Sequence, residues 1–432
     1  MRTIDLTALN YAVAAVVIYY MLLWLHLTVR RALRKKMPDT GYRPHFFIII
    51  PAHNEEAVIG HTIQSLLKQD YPHKSIFVMN DGSQDQTSAI GNSYAALDDQ
   101  VMVIDRGPDI AGRGKGAVLN HAFSIICKMV ADGDARLGGR TADDVVLCIV
   151  DADGQLESHT LGAVAPYFAE ARVGGLQIGV RIANTGTNVL TRMQDIEFVG
   201  FSAFVQEARD AFGSVGLGGN GQFGRLSALM SLGRDPWTDC LTEDLDLGLT
   251  LVEHGWRNRF CPNAYVAQQA VTSLKALFRQ RTRWVQGHYQ CWSHLPRLLR
   301  NKKVPLGTRI DLALYLVLVV FVVLVSIGMV FSLLSMAGLV TTTSTAFAFV
   351  PAGPWRNALV LFLSFGPLAV FLLTYHTRTA RPMPVRWLPT YAIVFAVYTY
   401  AWMVATAWAW FRIITKRGSW AKTARVDSEA AV

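Results

Sequence analysis

Charged residues are scarce in this sequence, and their scarcity argues against a wholly soluble protein. Asp, Glu, Lys and Arg make up 17% of the 432 residues, whereas hydrophobic residues make up 51%. Soluble globular proteins carry about 25% charged residues. The long uncharged runs lie near the two ends of the chain, and the residues between them have the composition of one large domain with its own core. We therefore expect a soluble domain held by membrane segments.

Cysteine is also sparse, and its spacing excludes some site types. The five cysteines show no CxxC pair; they are Cys127, Cys148, Cys240, Cys261 and Cys291. An odd number of widely spaced cysteines argues against a disulfide framework and against a zinc site. We expect reduced structural thiols in a cytosolic domain.

Basic residues lie beside the apolar runs and predict an orientation. The formal net charge is +9, and Arg and Lys cluster at 30–36, 297–309 and 412–425. This placement fits the positive-inside rule better than it fits nucleic-acid binding, so no nucleic-acid partner is expected. Residues 11–29 are predicted to form an N-terminal transmembrane helix rather than a signal peptide, because the basic cluster follows the apolar run. The middle domain would then face the cytoplasm from the inner membrane.

The C-terminal apolar region, 312–411, is predicted to contain about three transmembrane helices, at 312–334, 358–375 and 388–411. One span before the domain and three after it would put the C-terminus outside, yet the basic tail 412–432 favours the cytosol. Two alternatives remain open: one run lies in the membrane interface, or the number of spans differs. Residues 276–303, just before this region, are expected to form amphipathic interface helices.

The middle domain, 45–275, shows the alternation of strands and helices that is typical of a doubly wound α/β sheet. Short apolar runs predict strands at 46–50, 76–79, 101–104 and 145–150, and a helix is predicted at 116–130. Ligands bind such sheets beyond the carboxyl ends of the strands. Polar residues gather at those ends, and they are Asn54, Glu55, Asp81, Asp151 and Asp153.

Three of the strand-end motifs indicate phosphate and metal chemistry. Asp151 and Asp153 follow an apolar strand and suit Mg²⁺ or Mn²⁺, although Asp and Gly are also common in turns. Asp81 is a candidate acceptor for a nucleobase N–H or a ribose hydroxyl, with a turn as the alternative. Lys115 lies in a glycine loop before a helix, where it can meet a phosphate. The loop lacks the Ser or Thr that follows the lysine in a Walker motif, which excludes an ATPase of that type.

Two later motifs supply a candidate base and candidate ligands for a diphosphate. A carboxylate of Thr242-Glu243-Asp244 can deprotonate a hydroxyl, although Thr242 could simply cap a helix that has acids in its first turn. Gln280, Arg283 and Trp284 lie in a basic, aromatic stretch, where Arg283 can neutralise a diphosphate and Trp284 can offer a flat face to a sugar. An interfacial amphipathic helix would contain the same residue types.

Taken together in this order, the motifs closely resemble the family 2 inverting glycosyltransferases, which include cellulose, chitin and hyaluronan synthases. The resemblance covers roughly 45–300 and implies a GT-A-type doubly wound α/β domain, transmembrane helices and a UDP-sugar donor. It implies that Asp81 and Lys115 lie at the nucleotide and that Asp151 and Asp153 hold Mg²⁺ or Mn²⁺. It further implies that Asp244 is the base, beside Thr242 and Glu243. The QxxRW set would bind the diphosphate and the acceptor, and the motif Pro51 to Glu55 matches the first part of the family pattern.

The resemblance leaves the acceptor open between two classes. A processive β-polysaccharide synthase that uses UDP-glucose or UDP-N-acetylglucosamine and exports its product is the first expectation, because the C-terminal spans could form a channel. The alternative is a glycolipid synthase with a lipid acceptor, because the loop with Asn220 and Gln222 is similar to that of bacterial glucosyl-diacylglycerol synthases. Asn220 and Gln222 are therefore candidate acceptor contacts, with a glycine turn as the other interpretation. An inactive membrane scaffold is least expected because all the acids are present, and no protein partner is indicated.

Overall fold

The computed structural model describes residues 3–33, 40–343, 353–379 and 384–415. The strands in this part are β1 (Thr3–Asp5), β2 (His45–Ala52), β3 (Lys74–Asn80), β4 (Val101–Asp105), β5 (Val145–Ile149), β6 (Gln155–Leu156), β7 (Val173–Ile182), β8 (Gln222–Arg225), β9 (Arg257–Gln268) and β10 (Thr341–Thr343). The first helices are α1 (Thr7–Leu33), α2 (Ile59–Leu67), α3 (Thr87–Ala95), α4 (Lys115–Ala131), α5 (Thr160–Val164), α6 (Val189–Gly200) and α7 (Glu207–Arg209). They are followed by α8 (Leu226–Met230), α9 (Glu243–Glu253), α10 (Leu274–Gln290), α11 (Leu295–Arg300), α12 (Leu306–Met336), α13 (Pro354–Arg378) and α14 (Leu388–Ile414).

The central sheet has eight strands in the order β4-β3-β2-β5-β8-β7-β9-β6. Strands β2 to β5 pair in parallel, which confirms the four predicted strands and the α/β class. The sheet is mixed rather than wholly parallel, because β8 runs antiparallel between β5 and β7. Strand β8 has only four residues. A segment of this length shows no helical period and no long apolar run, so it could not be predicted from the sequence.

Both faces of the sheet are covered, which explains the unbroken apolar runs in the parallel strands. Alternate residues of β2 enter different cores: Phe46 and Ile48 pack with α2 and α5, whereas Phe47 and Ile49 pack with α4 and α9. All four of these side chains are fully buried. The two layers fix the parallel strands so that their carboxyl ends meet at one edge.

Among the residues that the structure describes, three helical segments are long and apolar enough to cross a membrane, and they are Thr7–Val29, Leu306–Val325 and Val385–Ile414. The predicted span 11–29 lies within α1, and the predicted span at 358–375 lies within α13, which is not one of the three. Strands β1 and β10 pair in parallel, which places the start of α1 beside the end of α12. The two helices therefore run antiparallel. Most of the predicted basic tail 412–432 is outside the described residues.

A buried ion pair joins two of the candidate membrane helices to the α/β domain. Arg209 Nε donates to Asp311 Oδ2 at 2.8 Å, and the Ser214 hydroxyl donates to the same oxygen at 2.6 Å. Tyr19 of α1 donates from its hydroxyl to Asp311 Oδ1 at 2.6 Å. Because a buried charge left without its partner is strongly destabilising, these contacts hold the start of α12 and the middle of α1 against the domain.

Candidate active site

The edge of the sheet holds the predicted nucleotide residue Asp81 in a fixed position. Asp81 follows β3, and its Oδ1 accepts hydrogen bonds from the Arg106 guanidinium and, at 3.1 Å, from the Gly112 N–H. Arg106 was not predicted from the sequence, although it follows β4 directly and so must lie at the same edge. The arginine neutralises the carboxylate and joins the end of β3 to the glycine loop.

Asn54 and Glu55 lie in the loop after β2 and tie it to the loop after β3. Asn54 has a φ of 53°, a left-handed conformation that Asn tolerates and that precludes a helix start. Its side-chain Oδ1 accepts from the Gln84 N–H at 2.8 Å, and the Glu55 N–H donates to Thr87 Oγ1 at 2.7 Å. The next helix, α2, begins only at Ile59. Both residues lie next to the Asp81 edge, and their part in donor binding remains a prediction.

Lys115 lies at the N-terminus of α4 and contacts the other members of a charged cluster. Its Nζ lies 2.6 Å from Asp151 Oδ1 and 3.9 Å from Glu243 Oε1, and it donates to the Gly219 carbonyl at 3.5 Å. Burial alone would lower the pKa of Lys115, but the negative charges of Asp151 and Glu243 raise it above its ordinary value. The ammonium is therefore charged and unites the strand-end acid with the Thr242-Glu243-Asp244 motif.

Asp244 lies in the first turn of α9, and the pKa of its carboxyl group is near neutral. Burial raises its pKa to about 7, the adjacent Glu243 charge adds to this, and Lys115 and Arg283 oppose it. A Cβ on Gly219, whose φ is +76°, would lie 2.7 Å from Asp244 Oδ2. The loop backbone thus approaches the carboxyl so closely that only glycine fits. A carboxyl group with this pKa suits general-base work.

The turn after β5 supplies carboxylates that fit a hard divalent cation. Asp153 is buried, and its Oδ2 accepts from the Gln269 N–H at 3.0 Å, whereas the Asp151 side chain keeps 29% of its surface exposed. The donor set is oxygen only, which is the chemistry that Mg²⁺ and Mn²⁺ prefer. The chemistry of Asp151 and Asp153 therefore fits such an ion, and their role as its ligands stays a prediction.

Asn220 and Gln222 are buried rather than displayed, with 3% and 1% of their surface exposed. Asn220 Oδ1 accepts from the Asp151 N–H at 3.1 Å, and its Nδ2 donates to Gln268 Oε1 at 2.7 Å. This geometry gives Asn220 the task of fixing the Asp151 turn. Gln222 begins β8 inside the sheet. Their contact with an acceptor stays a prediction.

Helix α10 packs directly on the Thr242 segment. A Cβ on Gly287 would lie 2.6 Å from the Thr242 backbone and side chain, so the two segments touch. Thr242 precedes α9, but within the described residues its side chain makes no capping hydrogen bond. The capping alternative is therefore not realised. The close contact places the QxxRW helix beside the candidate base.

The QxxRW residues face in two directions. One set is directed to the candidate site, and the other packs against aromatic side chains. Arg283 is partly exposed and lowers the pKa of Asp244, so it faces the carboxyl cluster. Trp284 instead packs in an aromatic cluster, with the Arg281 guanidinium 4.2 Å from its ring centroid and the Trp402 ring 6.5 Å away. The Gln280 side chain is partly buried, and its contact with the diphosphate stays a prediction. The structure thus brings Arg283 to the candidate base and leaves the sugar-stacking role of Trp284 as a prediction.

Arg281 was missed by the sequence reasoning because it is one of the two unspecified positions of QxxRW. It is buried, and its Nη2 donates to Glu197 Oε2 at 2.7 Å and to Tyr398 Oη at 3.0 Å. A buried guanidinium needs such partners. Arg281 therefore links α6, α10 and α14 beneath the site.

These features together define a class of enzyme. An α/β sheet presents, at one edge, paired carboxylates, a charged lysine and an arginine-held aspartate, and a partly buried carboxyl group of raised pKa lies beside them. That combination serves transfer of a group from a phosphorylated donor to a hydroxyl, and the motif order is that of a glycosyltransferase.

Comparison with known proteins shows the family. The family model "Glycosyltransferase like family 2" matches residues 44–287. The chain belongs to this family, and it is a family 2 glycosyltransferase. The match includes all the motifs described above and ends within α10.

Curated relatives include both enzyme types considered from the sequence. The chain is 33% identical over 279 residues to the β-monoglucosyldiacylglycerol synthase of Synechocystis sp., which is 64% of this chain and 54% of that protein. It is 25% identical over 312 residues to the poly-β-1,6-N-acetyl-D-glucosamine synthase of Staphylococcus aureus, which is 69% of this chain and 68% of that protein. The chain thus spans about half the length of the glucosyldiacylglycerol synthases that it matches.

A solved structure supports the fold. The mannosyltransferase PcManGT from Pyrobaculum calidifontis, solved with GDP-Man and Mn²⁺, aligns with a TM-score of 0.56 at 18% identity. The alignment covers 95% of this chain and 100% of that chain. The GT-A fold expected from the motifs is confirmed.

Proposed function

We propose that this protein is a glycolipid synthase that transfers one hexose from a UDP-sugar to a lipid hydroxyl at the membrane surface. The observation that carries the proposal is the 33% identity to a β-monoglucosyldiacylglycerol synthase across the catalytic domain. This reverses the order of the two expectations, because the sequence motifs alone favoured a polysaccharide synthase. Polysaccharide synthesis is the second candidate, supported by the 25% identity to a poly-N-acetylglucosamine synthase.

The site geometry supports an inverting displacement with Asp244 as the base. The acceptor oxygen forms a bond to the anomeric carbon while the bond from that carbon to the diphosphate oxygen breaks. The acceptor proton passes to the Asp244 carboxylate, whose pKa of about 7 matches this task. Arg283 and Lys115 supply positive charge close to the carboxyl cluster, where the leaving diphosphate would gain negative charge.

Asp151 and Asp153 would hold a divalent cation in this reaction. When bound, the ion neutralises charge on the diphosphate. Lys115, whose ammonium lies 2.6 Å from Asp151 Oδ1, offsets part of the repulsion between the acids of the site.

The membrane helices support a cytoplasmic catalytic domain with a cytoplasmic tail. Helix α12 leads away from the domain, and α13 leads back, since Leu359 packs near Val17 of α1 whereas the Tyr375 hydroxyl donates to Asp195 of α6 at 2.7 Å. Helices α1, α12 and α13 would then be the three crossings. An odd number of crossings after an external N-terminus puts the basic residues after Arg412 in the cytosol, which agrees with the positive-inside rule.

Helix α14 is apolar but follows α10 rather than leaving the domain. Its contacts advance along both helices together: Tyr398 meets Arg281, Trp402 meets Trp284, and Trp410 meets Tyr289 with ring centroids 4.6 Å apart. We place α14 with α10 in the cytoplasmic interface, which is one of the alternatives left open by the sequence. A lipid acceptor would then reach the site beside this pair of helices.

The test is a product assay on the purified full chain in lipid nanodiscs that contain diacylglycerol. Radiolabelled UDP-glucose, or separately UDP-N-acetylglucosamine, is supplied with Mg²⁺ or Mn²⁺, and the Asp244→Asn variant serves as the matched inactive control. Label that partitions into organic solvent as one discrete lipid supports the glycolipid synthase. Label retained in water as a high-molecular-weight polymer contradicts it and establishes the second candidate.

A further inference from the structure

A second cluster of ligand-type side chains lies between α9 and α10, behind Thr242. Cys240 precedes α9 and Cys291 follows α10, and both are free thiols. A ligand atom from each, together with a carboxylate oxygen of Asp246, lies within 4.8 Å of the others. The cluster is separate from the Asp151 turn, because its ligands come from the α9–α10 junction and include sulfur.

The spacing of the two sulfur atoms is that of a tetrahedral metal site. The Cys240 and Cys291 Sγ atoms are 3.8 Å apart. Two thiolates bound to one Zn²⁺ at about 2.3 Å with tetrahedral angles would be separated by about 3.8 Å. A disulfide needs the two atoms at about 2.0 Å, so the observed spacing already suits an ion and does not suit a bond.

We propose that Cys240, Cys291 and Asp246 bind one thiophilic divalent cation of the Zn²⁺ class. Thr242 Oγ1 lies 3.6 Å from Cys240 Sγ and 3.7 Å from Cys291 Sγ, and it or a water molecule completes the set of four ligands. Binding displaces the two thiol protons. The widely separated cysteines gave no sign of this site in the sequence, because they are 51 positions apart.

The carboxylate of the cluster is held in place by neighbours, as metal ligands usually are. Asp246 Oδ1 lies 2.7 Å from His294 Nε2, and its Oδ2 accepts from the Thr238 hydroxyl at 2.7 Å. His294 is in turn 2.9 Å from Glu253 Oε1 through its other ring nitrogen. The Asp246 side chain therefore has one fixed orientation, which lowers the entropy lost when it binds an ion.

Occupation of the site would clamp the QxxRW helix to the segment that carries the candidate base. Cys291 ends α10, whereas Cys240 lies two residues before Thr242 and four before Asp244. The Gln290 side chain strengthens the same junction by accepting from the Leu241 N–H at 2.9 Å. The ion would thus brace the catalytic junction while taking no part in donor binding, which uses the oxygen ligands of Asp151 and Asp153.

The direct test is a Cd²⁺ titration of the chelator-treated, reduced full chain in detergent, followed by the ultraviolet thiolate-to-metal charge-transfer band. Zn²⁺ affinity is then measured by competition with a chromophoric chelator. We expect one equivalent to bind, and we expect Cys240→Ser and Cys291→Ser each to weaken binding at least about tenfold. Cys127→Ser is the matched control, since Cys127 lies in α4 outside the cluster, and it should bind like the unaltered chain.

Two results would overturn the proposal. The first is a reduced, folded chain that gives no charge-transfer band with Cd²⁺. The second is a band that persists unchanged in Cys240→Ser, a variant at a partly exposed position chosen because it is less disruptive than the buried Cys291. Both readouts are independent of transferase activity, so the metal site and the proposed reaction are tested separately.

Discussion

Replacing Glu243 by Gln should move the acid limb of the pH–rate profile to lower pH while leaving the enzyme active. Burial raises the pKa of Asp244 to about 7, and the Glu243 charge is the second cause. Removing that charge makes ionisation of Asp244 easier. It also frees Lys115 from the Glu243 carboxylate 3.9 Å away, so more of its positive charge acts on Asp244.

The size of the shift follows from Coulomb's law. Two unit charges roughly 7 Å apart at an effective dielectric constant of about 20 interact by about 2.4 kcal/mol, and about 1.4 kcal/mol corresponds to one pKa unit. Lys115 already neutralises part of the Glu243 charge, so we expect the acid limb to move down by about one unit rather than by the full amount. The base must be ionised to act, and the rate therefore gains most below the original pKa.

The assay is the initial rate at saturating donor and acceptor between about pH 5 and pH 9. Asp244→Asn should lower the rate about 10²- to 10⁴-fold at every pH, and the exposed Asp99→Asn should change neither rate nor profile. If Glu243→Gln abolishes transfer at all pH values, Glu243 is the base and the assignment of Asp244 is wrong. If the acid limb of the pH–rate profile does not move in Glu243→Gln, the Glu243 charge does not control the pKa of Asp244.

Two further substitutions test the packing around the site. Gly219→Ala should lower transfer at least tenfold with little change in donor binding, because its Cβ would lie 2.7 Å from Asp244 Oδ2 and its φ is +76°; near-normal turnover would show that the loop can retreat. Arg281→Met should destabilise the fold by about 1–3 kcal/mol, because it leaves the partly buried Glu197 carboxylate without its guanidinium partner. Arg279→Met, on the exposed face of the same helix, is the control for that measurement, and equal losses in both variants would contradict the reasoning.

The sequence predicted the parts of the fold that have local signals. The strands at 46–50 and 145–150 are unbroken apolar runs, and the acids that follow strands are brought to one edge by the parallel pairing itself. Asp81 and Asp151 could be predicted for this reason. The antiparallel strand β8 could not, since its four residues have no periodicity and pair only because β5 and β7 lie on either side of it.

The interactions that the sequence did not predict join residues far apart in the chain. Arg106 meets Asp81 across 25 positions, and Arg281 meets Tyr398 across 117 positions. Both arginines are buried, and neither stands at a position that the motifs specify. Asn220 shows the same limit. The sequence identified its loop, but the buried Asn220 amide fixes the Asp151 turn and does not form a surface contact. Motifs locate chemistry, whereas the partners that orient it depend on packing.

Replacing Asp244 should also show how much its ionised carboxylate lowers the stability of the folded protein. A carboxyl group whose folded pKa is raised from 3.8 to about 7 binds more protons in the folded state than in the unfolded state between those values. Stability therefore falls as pH rises through this window and stays lower above it. Asp244→Asn removes that loss, so the inactive variant should be more stable than the active enzyme at pH 8 by about 1–2 kcal/mol, a value discounted because the side chain is only partly buried.

The gain should shrink as pH falls toward the unfolded pKa, because the native carboxyl is then protonated and resembles the amide. Thermal midpoints of the full chain in detergent at pH 8 and about pH 5 measure the difference, with Asp99→Asn as the control that should show no pH-dependent gain. An Asp244→Asn variant that is less stable at pH 8 would mean that the ionised carboxylate is held by its neighbours. In that case Lys115 and Arg283, rather than burial, dominate its environment, and Asp244 would be ionised well below neutral pH.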